Sequence, residues 1–264
     1  MALTIIPGNN LKTKTRAFAE RLTRGTRIYL ATPRLRGLLA LNFAAAAAGA
    51  FVLVNTVVMV RANFGASEGH VAYALAAFGG GSMLAALTLP RLLDTIQDRA
   101  LMLVAAFFLS GLTIGHSIYF LANGLAPWGA FLAVWALSGV FYSAILTPSG
   151  RLLRHSAHAQ DRPSIFAAQF ALSHVCWLVT YPVAGWAGST FGLPVAMLIL
   201  GALALARAGV GLLVWPTEDD RALTHAHPDL SPDHAHLRAH PGHNGHHRHV
   251  FVIDDEHKAW PTQG

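Results

Sequence analysis

The chain has 264 residues, of which 53% are hydrophobic and only 12% are charged. A soluble domain carries about 25% charged residues, so this composition argues against a globular protein in water. The net charge of +6 would suit nucleic-acid binding in a soluble protein, but here Lys and Arg stand between apolar runs, and we expect no nucleic-acid partner. Cys176 is the single cysteine, which excludes an intramolecular disulfide. The expected partner is a lipid bilayer.

Residues 1–33 form a polar and basic lead-in to the first apolar run. They contain no apolar core of the kind that precedes a cleavage site, so we predict no removable signal peptide. Phe18, Leu22 and Ile28 stand among charged residues, which favours a short amphipathic helix on an anionic membrane surface. A solvated basic linker is the alternative prediction.

Six apolar stretches of about 22 residues follow, and each is close to the roughly 20 residues that an α-helix needs to cross a bilayer. They run over 38–60, 69–90, 99–121, 127–149, 164–187 and 193–215. Only Arg207 interrupts a stretch. Open sheets do not occur in lipid because their unpaired backbone groups cannot be satisfied there. The predicted fold class is therefore an all-α integral membrane protein, with six transmembrane helices in a domain of residues 34–215.

The distribution of basic residues predicts the orientation of these helices. Lys and Arg are dense before the first stretch, recur in the second and fourth gaps and in the tail, and are absent from the third and fifth gaps. Basic residues are retained on the cytoplasmic side of a membrane. We therefore expect both termini in the cytoplasm and a multi-pass protein of the plasma membrane, which in a bacterium is the inner membrane.

Residues 216–264 form a polar tail that holds ten of the fifteen histidines. Neutral imidazole is a good ligand for zinc, nickel and copper. The candidate metal ligands are His225, His227, His234, His236, His246, His247 and His249. We expect most of the tail to be disordered when free. Because zinc-finger spacing is missing, two interpretations stay open: a divalent-metal site, or a solvated low-complexity tail. Residues 250–253 are an apolar island that could form a strand or dock elsewhere.

Two short motifs carry a resemblance to a known family. Gly81 begins a segment that leads through Pro90-Arg91-Leu92-Leu93-Asp94 to Asp98-Arg99. It resembles the loop between the eighth and ninth helices of major facilitator superfamily transporters, although the Gly-Arg end of the family motif is missing. Tyr181-Pro182-Val183-Ala184-Gly185 resembles the element that bends the fifth and eleventh helices of that family.

The resemblance implies the C-terminal six-helix half of a twelve-helix secondary transporter. Such a half consists of inverted three-helix repeats, and the substrate lies between two halves near the bilayer midplane. The other half would come from a longer gene product, a separate chain or a second copy, and truncation of a longer transporter is the expectation. The resemblance also implies that Arg91, Asp94 and Arg99 hold helix ends together by charge pairing, and that Pro182 and Gly185 bend a helix.

The same resemblance implies that the seventh, eighth, tenth and eleventh helices line a cavity. Polar residues in the corresponding stretches are then candidate cavity residues: Asn42, Thr56, Ser138, Tyr142, Gln169, Ser173 and His174. The alternative role of each is hydrogen bonding between helices. No Asp or Glu lies within a stretch, so proton-coupling carboxylates are expected in the other half.

Competing functions lack their required residues. A cation diffusion facilitator needs Asp and His four residues apart within two spans, and no span here contains Asp. A rhomboid protease needs Gly-x-Ser-Gly, which this sequence does not contain. A phosphate loop needs Gly-Lys-Ser/Thr after its glycines, and no such segment follows the three glycines at 79–81. The resemblance therefore implies a transporter rather than an enzyme, one that moves a small solute outward by alternating access. The only expected cofactor is a divalent metal on the tail. The alternative function is nickel, zinc or cobalt efflux, or metal buffering, through that tail.

Overall fold

The computed structural model describes residues 18–217, 222–227, 231, 234–240, 242 and 246–261. Within them, six helical segments are long and apolar enough to cross a membrane, which confirms the predicted six spans. The helices are α1 (Phe18–Ala31), α2 (Pro33–Val58), α3 (Glu68–Leu92), α4 (Asp98–Asn123), α5 (Trp128–Leu146), α6 (Ser149–His155), α7 (Arg162–Phe191) and α8 (Leu193–Val214). The tail adds β1 (Ala222–Ala226), α9 (Ala235–Ala239) and β2 (His246–Val250).

Glycine and proline set several of the helix ends. A π-helical turn, Met59–Asn63, extends α2, so that the first span runs from Pro33 to Asn63. Pro148 separates α5 from α6 because it has no N–H to continue the hydrogen-bond ladder. Gly192 alone connects α7 to α8, and its backbone has a φ of +83°, which residues with a side chain rarely adopt.

The spans pack as two three-helix repeats, α2–α3–α4 and α5–α7–α8. Helix α3 packs on α5, and α7 packs on α2; α8 packs on α2, and α4 packs on α5. The two repeats are related by matching α2 with α5, α3 with α7 and α4 with α8. This matching converts the α3–α5 contact into the α7–α2 contact and the α8–α2 contact into the α4–α5 contact, and it leaves the α4–α8 contact unchanged. Because each repeat has an odd number of spans, the second repeat starts from the opposite side of the membrane, as in an inverted repeat.

Two glycines allow a close approach of backbones between α3 and α5. A Cβ atom at Gly81 would lie 1.9 Å from the carbonyl oxygen of Ala136, and one at Gly139 would lie 1.9 Å from that of Phe78. Small residues at helix contacts bring backbones together and increase van der Waals packing in lipid. The repeats are therefore joined here by backbone contact.

The lead-in contains a short helix, α1, over Phe18–Ala31. Helix α1 lies against α7, with Ile28 and Tyr29 fully buried, and its position on a membrane surface stays a prediction. Arg24, a residue of the supposed polar face, is also buried, because its guanidinium is paired with Asp161 just before α7. Residues 1–17 of the lead-in lie outside the described residues.

The described part of the tail is folded, where the sequence favoured disorder for most of it. Strands β1 and β2 form an antiparallel pair in which His225 lies opposite His247. The apolar island docks: Phe251 and Ile253 are buried in the same hydrophobic core as the bundle helices. Trp260 packs against that core and lies under the guanidinium of Arg34 at 5.4 Å. Apolar burial therefore attaches the end of the tail to the membrane domain.

Candidate functional site

Four helices meet at a group of aromatic rings, which we call the aromatic wall: Phe78 of α3, Tyr142 of α5, and Trp177 and Tyr181 of α7. The ring centroids are 5.4 Å apart for Phe78 and Tyr142, 6.4 Å for Tyr142 and Trp177, and 4.9 Å for Trp177 and Tyr181. Gly49 of α2 completes the contact. A Cβ atom there would lie 2.9 Å from the Trp177 ring and 3.2 Å from the Tyr142 ring.

The aromatic wall lies on the helices that the family resemblance assigns to a cavity. Helices α2, α3, α5 and α7 are the first, second, fourth and fifth spans, which correspond to the seventh, eighth, tenth and eleventh helices of a twelve-helix transporter. Sequence reasoning named Tyr142 but missed Phe78 and Trp177. Their apolar stretches are hydrophobic all round, so no stripe in the sequence marks the side on which these rings lie.

Two of the predicted cavity residues form bonds within the bundle. Thr56 is fully buried; its hydroxyl accepts a hydrogen bond from Trp135 Nε1 at 2.8 Å and donates to the carbonyl oxygen of Val52. The Ser138 hydroxyl donates to the carbonyl oxygen of Val134 at 2.8 Å. Thr56 therefore joins α2 to α5 across the repeats, which is the alternative role considered for it.

Two asparagines of α2 are buried, with different surroundings. Asn42 is 4% exposed, and neither polar atom of its amide has a hydrogen-bond partner among the described residues. Asn55, which sequence reasoning missed, donates from Nδ2 to the carbonyl oxygen of Ala184 on α7 at 3.2 Å. Asn55 therefore holds α2 against the part of α7 that follows Pro182.

The predicted polar residues of α7 point in different directions. The Gln169 side-chain oxygen accepts a hydrogen bond from the Tyr29 hydroxyl, so Gln169 faces α1. The Ser173 hydroxyl donates to the carbonyl oxygen of Phe170 at 2.9 Å. His174 is exposed, and its Nδ1 lies 2.7 Å from the same oxygen. Of this group, His174 is the residue on the open face of α7.

The bending element of α7 lies within one continuous helix. Pro182 is inside α7, where it leaves the carbonyl of Leu178 without its usual N–H partner. A Cβ atom at Gly185 would meet nothing within 4 Å, so this glycine faces open space. The expected bend at these two residues stays a prediction.

The predicted charge pairing at the α3–α4 connection needs correction. Arg91 and Asp94 are exposed, and they form no ion pair with any residue that the structure describes. Arg99 instead donates from Nε to the carbonyl oxygen of Trp215 at 3.0 Å, where α8 ends. The ion pair at this connection is formed by Asp98 and Arg151. Arg151 lies in α6, and its Nε is 3.1 Å from each carboxylate oxygen of Asp98.

A family model of the Major Facilitator Superfamily matches residues 38–251. The chain belongs to this superfamily. Comparisons with curated proteins and with solved structures found no match. The match covers most of the first span and all of the other five, so this superfamily member is a multi-pass membrane protein with the six-helix fold of one transporter half.

The tail of this superfamily member brings together most of the histidines predicted to bind metal. Ring nitrogens of His225, His236, His247 and His249 lie within 4.8 Å of one another, and so do those of a second set, His225, His227, His236 and His257. His234 and His246 belong to neither set. Sequence reasoning missed His257, which stands alone in the sequence and comes close only through folding.

Burial, together with the neighbouring imidazoles, lowers the pKa of His225, His236 and His247 to about 4. Burial also lowers the pKa of His227 and His249. These imidazoles are therefore neutral at pH 7, the form in which one ring nitrogen carries a lone pair that can bind a metal ion.

Proposed function

We propose that this superfamily member is a secondary transporter that moves a small solute outward by alternating access. The aromatic wall supports the proposal, because its rings lie on three of the four helices that face the cavity in the related fold, and Gly49 of the fourth helix packs against them. A wall of rings with two phenolic hydroxyls suits a solute that has an apolar or aromatic face. The membrane would be the bacterial inner membrane, with both termini in the cytoplasm, as the basic gaps indicate.

One six-helix bundle provides one side of a cavity, so the transporter needs a second bundle. We propose that the second bundle is an N-terminal half in a longer protein, rather than a separate chain or a second copy. Reading the DNA upstream of the codon for Met1 tests this proposal. A coding run for six more spans, in frame or frameshifted, supports it, and intergenic DNA at that position contradicts it.

The transport proposal predicts that Trp177→Ala reduces solute export by about twofold to tenfold, the equivalent of an aromatic contact of about 0.5–1.5 kcal/mol. Export of ethidium from loaded cells expressing the complete transporter measures the effect. Trp186→Ala is the matched control, because Trp186 lies on the same helix and is 59% exposed, outside the aromatic wall. Equal export by the wild type and the Trp177 variant would contradict a role of the wall in transport.

The histidine sets of the tail favour a second candidate, divalent-metal efflux or metal buffering. Deleting residues 216–264 would also remove Phe251 and Ile253 from the core, so substitution is the sharper test. His236→Gln with His247→Gln removes two ring ligands and leaves the docked segment intact. Loss of zinc or nickel tolerance with unchanged ethidium export would favour the metal function over solute transport.

A further inference from the structure

We propose that the tail binds one divalent first-row transition-metal ion, of the zinc, nickel or copper kind, and that this ion fixes the tail against the beginning of α7. The ligands are drawn from six residues that we call the imidazole cluster: His225, His227, His236, His247, His249 and His257. The site does not depend on the transport proposal, since it is built from tail residues alone.

The strand register explains why these histidines converge. His225 lies opposite His247, and Leu223 lies opposite His249, so alternate residues of β1 and β2 point to one face of the sheet. That face is covered: His225 is 8% exposed and His247 is 4% exposed. His246 belongs to the other face and is exposed. Helix α9 and the segment after β2 then add His236 and His257 to the covered face.

Outer hydrogen bonds orient the rings of the imidazole cluster. Four Nδ1 atoms lie beside oxygen atoms of carbonyl or carboxylate groups. These oxygens can accept a hydrogen bond but cannot donate one, so the ring nitrogen must be the donor. The contacts are His225 to Leu223 O at 3.1 Å, His249 to Val250 O at 2.9 Å, His236 to Glu256 Oε2 at 2.9 Å and His257 to Asp254 Oδ1 at 2.9 Å. Each Nδ1 therefore carries the proton, and each Nε2 keeps its lone pair, as in histidine ligands of metal sites.

The inward nitrogen atoms need a cation between them. Nε2 of His225 lies 3.0 Å from Nε2 of His257, so two lone pairs face each other when both rings are neutral. Nε2 of His227 and of His249 is buried without a hydrogen-bond partner among the described residues. Nitrogens bound to one zinc ion at about 2.0–2.1 Å stand about 3.3 Å apart. A metal ion therefore fits the shortest pairs, and rotation of the remaining rings closes either four-histidine set.

The imidazole cluster is connected to the membrane domain through two carboxylates. Asp254 accepts the hydrogen bond from His257 through Oδ1, and its Oδ2 lies 3.2 Å from Nε2 of His158, in the connection before α7. Asp255 accepts a hydrogen bond from Arg24 at 2.5 Å, and Arg24 also binds Asp161. An ion that holds His257 in place also holds Asp254, and so stiffens the contact between the tail and the start of α7.

Zinc titration of the purified full chain in detergent, after removal of metal with EDTA, tests the site. We expect one high-affinity zinc ion per chain, and His236→Gln or His247→Gln to weaken binding by at least about tenfold. His246→Gln is the matched control, because it removes a neighbouring tail histidine from the opposite face of the sheet. If His246→Gln weakens binding as much as His247→Gln, or if the wild type binds several ions weakly, the proposal is wrong.

Two further measurements separate a lost site from a misfolded tail. Asp254→Asn keeps all six imidazole rings and removes the carboxylate that accepts a hydrogen bond from His257. We expect about tenfold weaker zinc binding. We also expect the unfolding profile of the membrane domain to be unchanged. Zinc should also slow amide hydrogen exchange over residues 246–257 and 158–165 in the wild type, but not in His247→Gln. Zinc binding without protection of residues 158–165 would contradict the link to α7.

Discussion

At the scale of single residues, the contact between α3 and α5 depends on two glycines. Gly81 and Gly139 each lie against a backbone carbonyl of the facing helix, and backbone cannot move aside as a flexible side chain can. Gly80, the neighbour of Gly81, has nothing within 4 Å of its would-be Cβ atom. Adjacent glycines in one sequence therefore have opposite structural roles.

Gly81→Ala should destabilise the bundle by about 1–3 kcal/mol, because the added methyl group forces the two helices apart. Thermal unfolding of the detergent-solubilised protein, followed by circular dichroism, measures the loss. Gly80→Ala serves as the control and should unfold at the wild-type temperature or slightly above it, since alanine restricts the unfolded chain. Equal stability of the two variants would contradict the close approach.

At the scale of elements, the tail sheet should open as the pH falls. Burial lowers the pKa of His225, His236 and His247 from 6.5 to about 4 in the folded tail. Below pH 6.5 the unfolded tail binds protons that the folded tail does not, so stability is complete above pH 6.5 and is lost between pH 6.5 and about 4.

In metal-free protein, we expect proteolysis of the tail to accelerate by at least about tenfold between pH 7.5 and pH 5. Limited digestion with a protease active over that range, on the full chain in detergent, measures the rate. Replacing His225, His236 and His247 together by Gln should flatten the pH dependence. A steep dependence that persists in this triple variant would assign it to other groups.

The elements show how far the sequence alone could lead. The six spans were predictable because lipid requires long apolar helices, and the breaks at Pro148 and Gly192 follow from backbone chemistry. Which side of each helix faces its neighbours was not predictable, since a stretch that is apolar all round has no face marked by the sequence. Trp177 was missed for this reason. His257 was missed because its partners come together only when β1, α9 and β2 fold.

At the scale of the whole molecule, one buried arginine connects three distant segments. Arg24 of α1 binds Asp161 before α7, with Nε at 2.6 Å and Nη2 at 3.0 Å, and binds Asp255 of the tail. The hydrogen bond that Arg24 donates to Asp161 raises the pKa of Arg24 above its ordinary value, so the guanidinium stays charged. The side chains of Arg24 and Asp161 are only 5% and 4% exposed, and removing one partner leaves a buried charge.

Arg24→Met and Asp161→Leu should therefore each destabilise the protein by about 3–5 kcal/mol, whereas the double variant that combines them should recover much of that loss. Thermal unfolding of the two single variants and the double variant gives the coupling energy. Arg27→Ala is the control, because Arg27 is exposed and lies 3.8 Å from Asp255. A coupling energy near zero would show that the pair does not join these segments.

The single-residue connection at Gly192 has a mechanical consequence. With one residue between them, the end of α7 and the beginning of α8 cannot separate or slide past each other. In a rocking motion these two spans would then move as a connected hairpin, and the tail is attached near the end of the hairpin opposite Gly192, through Arg24 and Asp161. The metal ion proposed for the tail would resist movement of that hairpin.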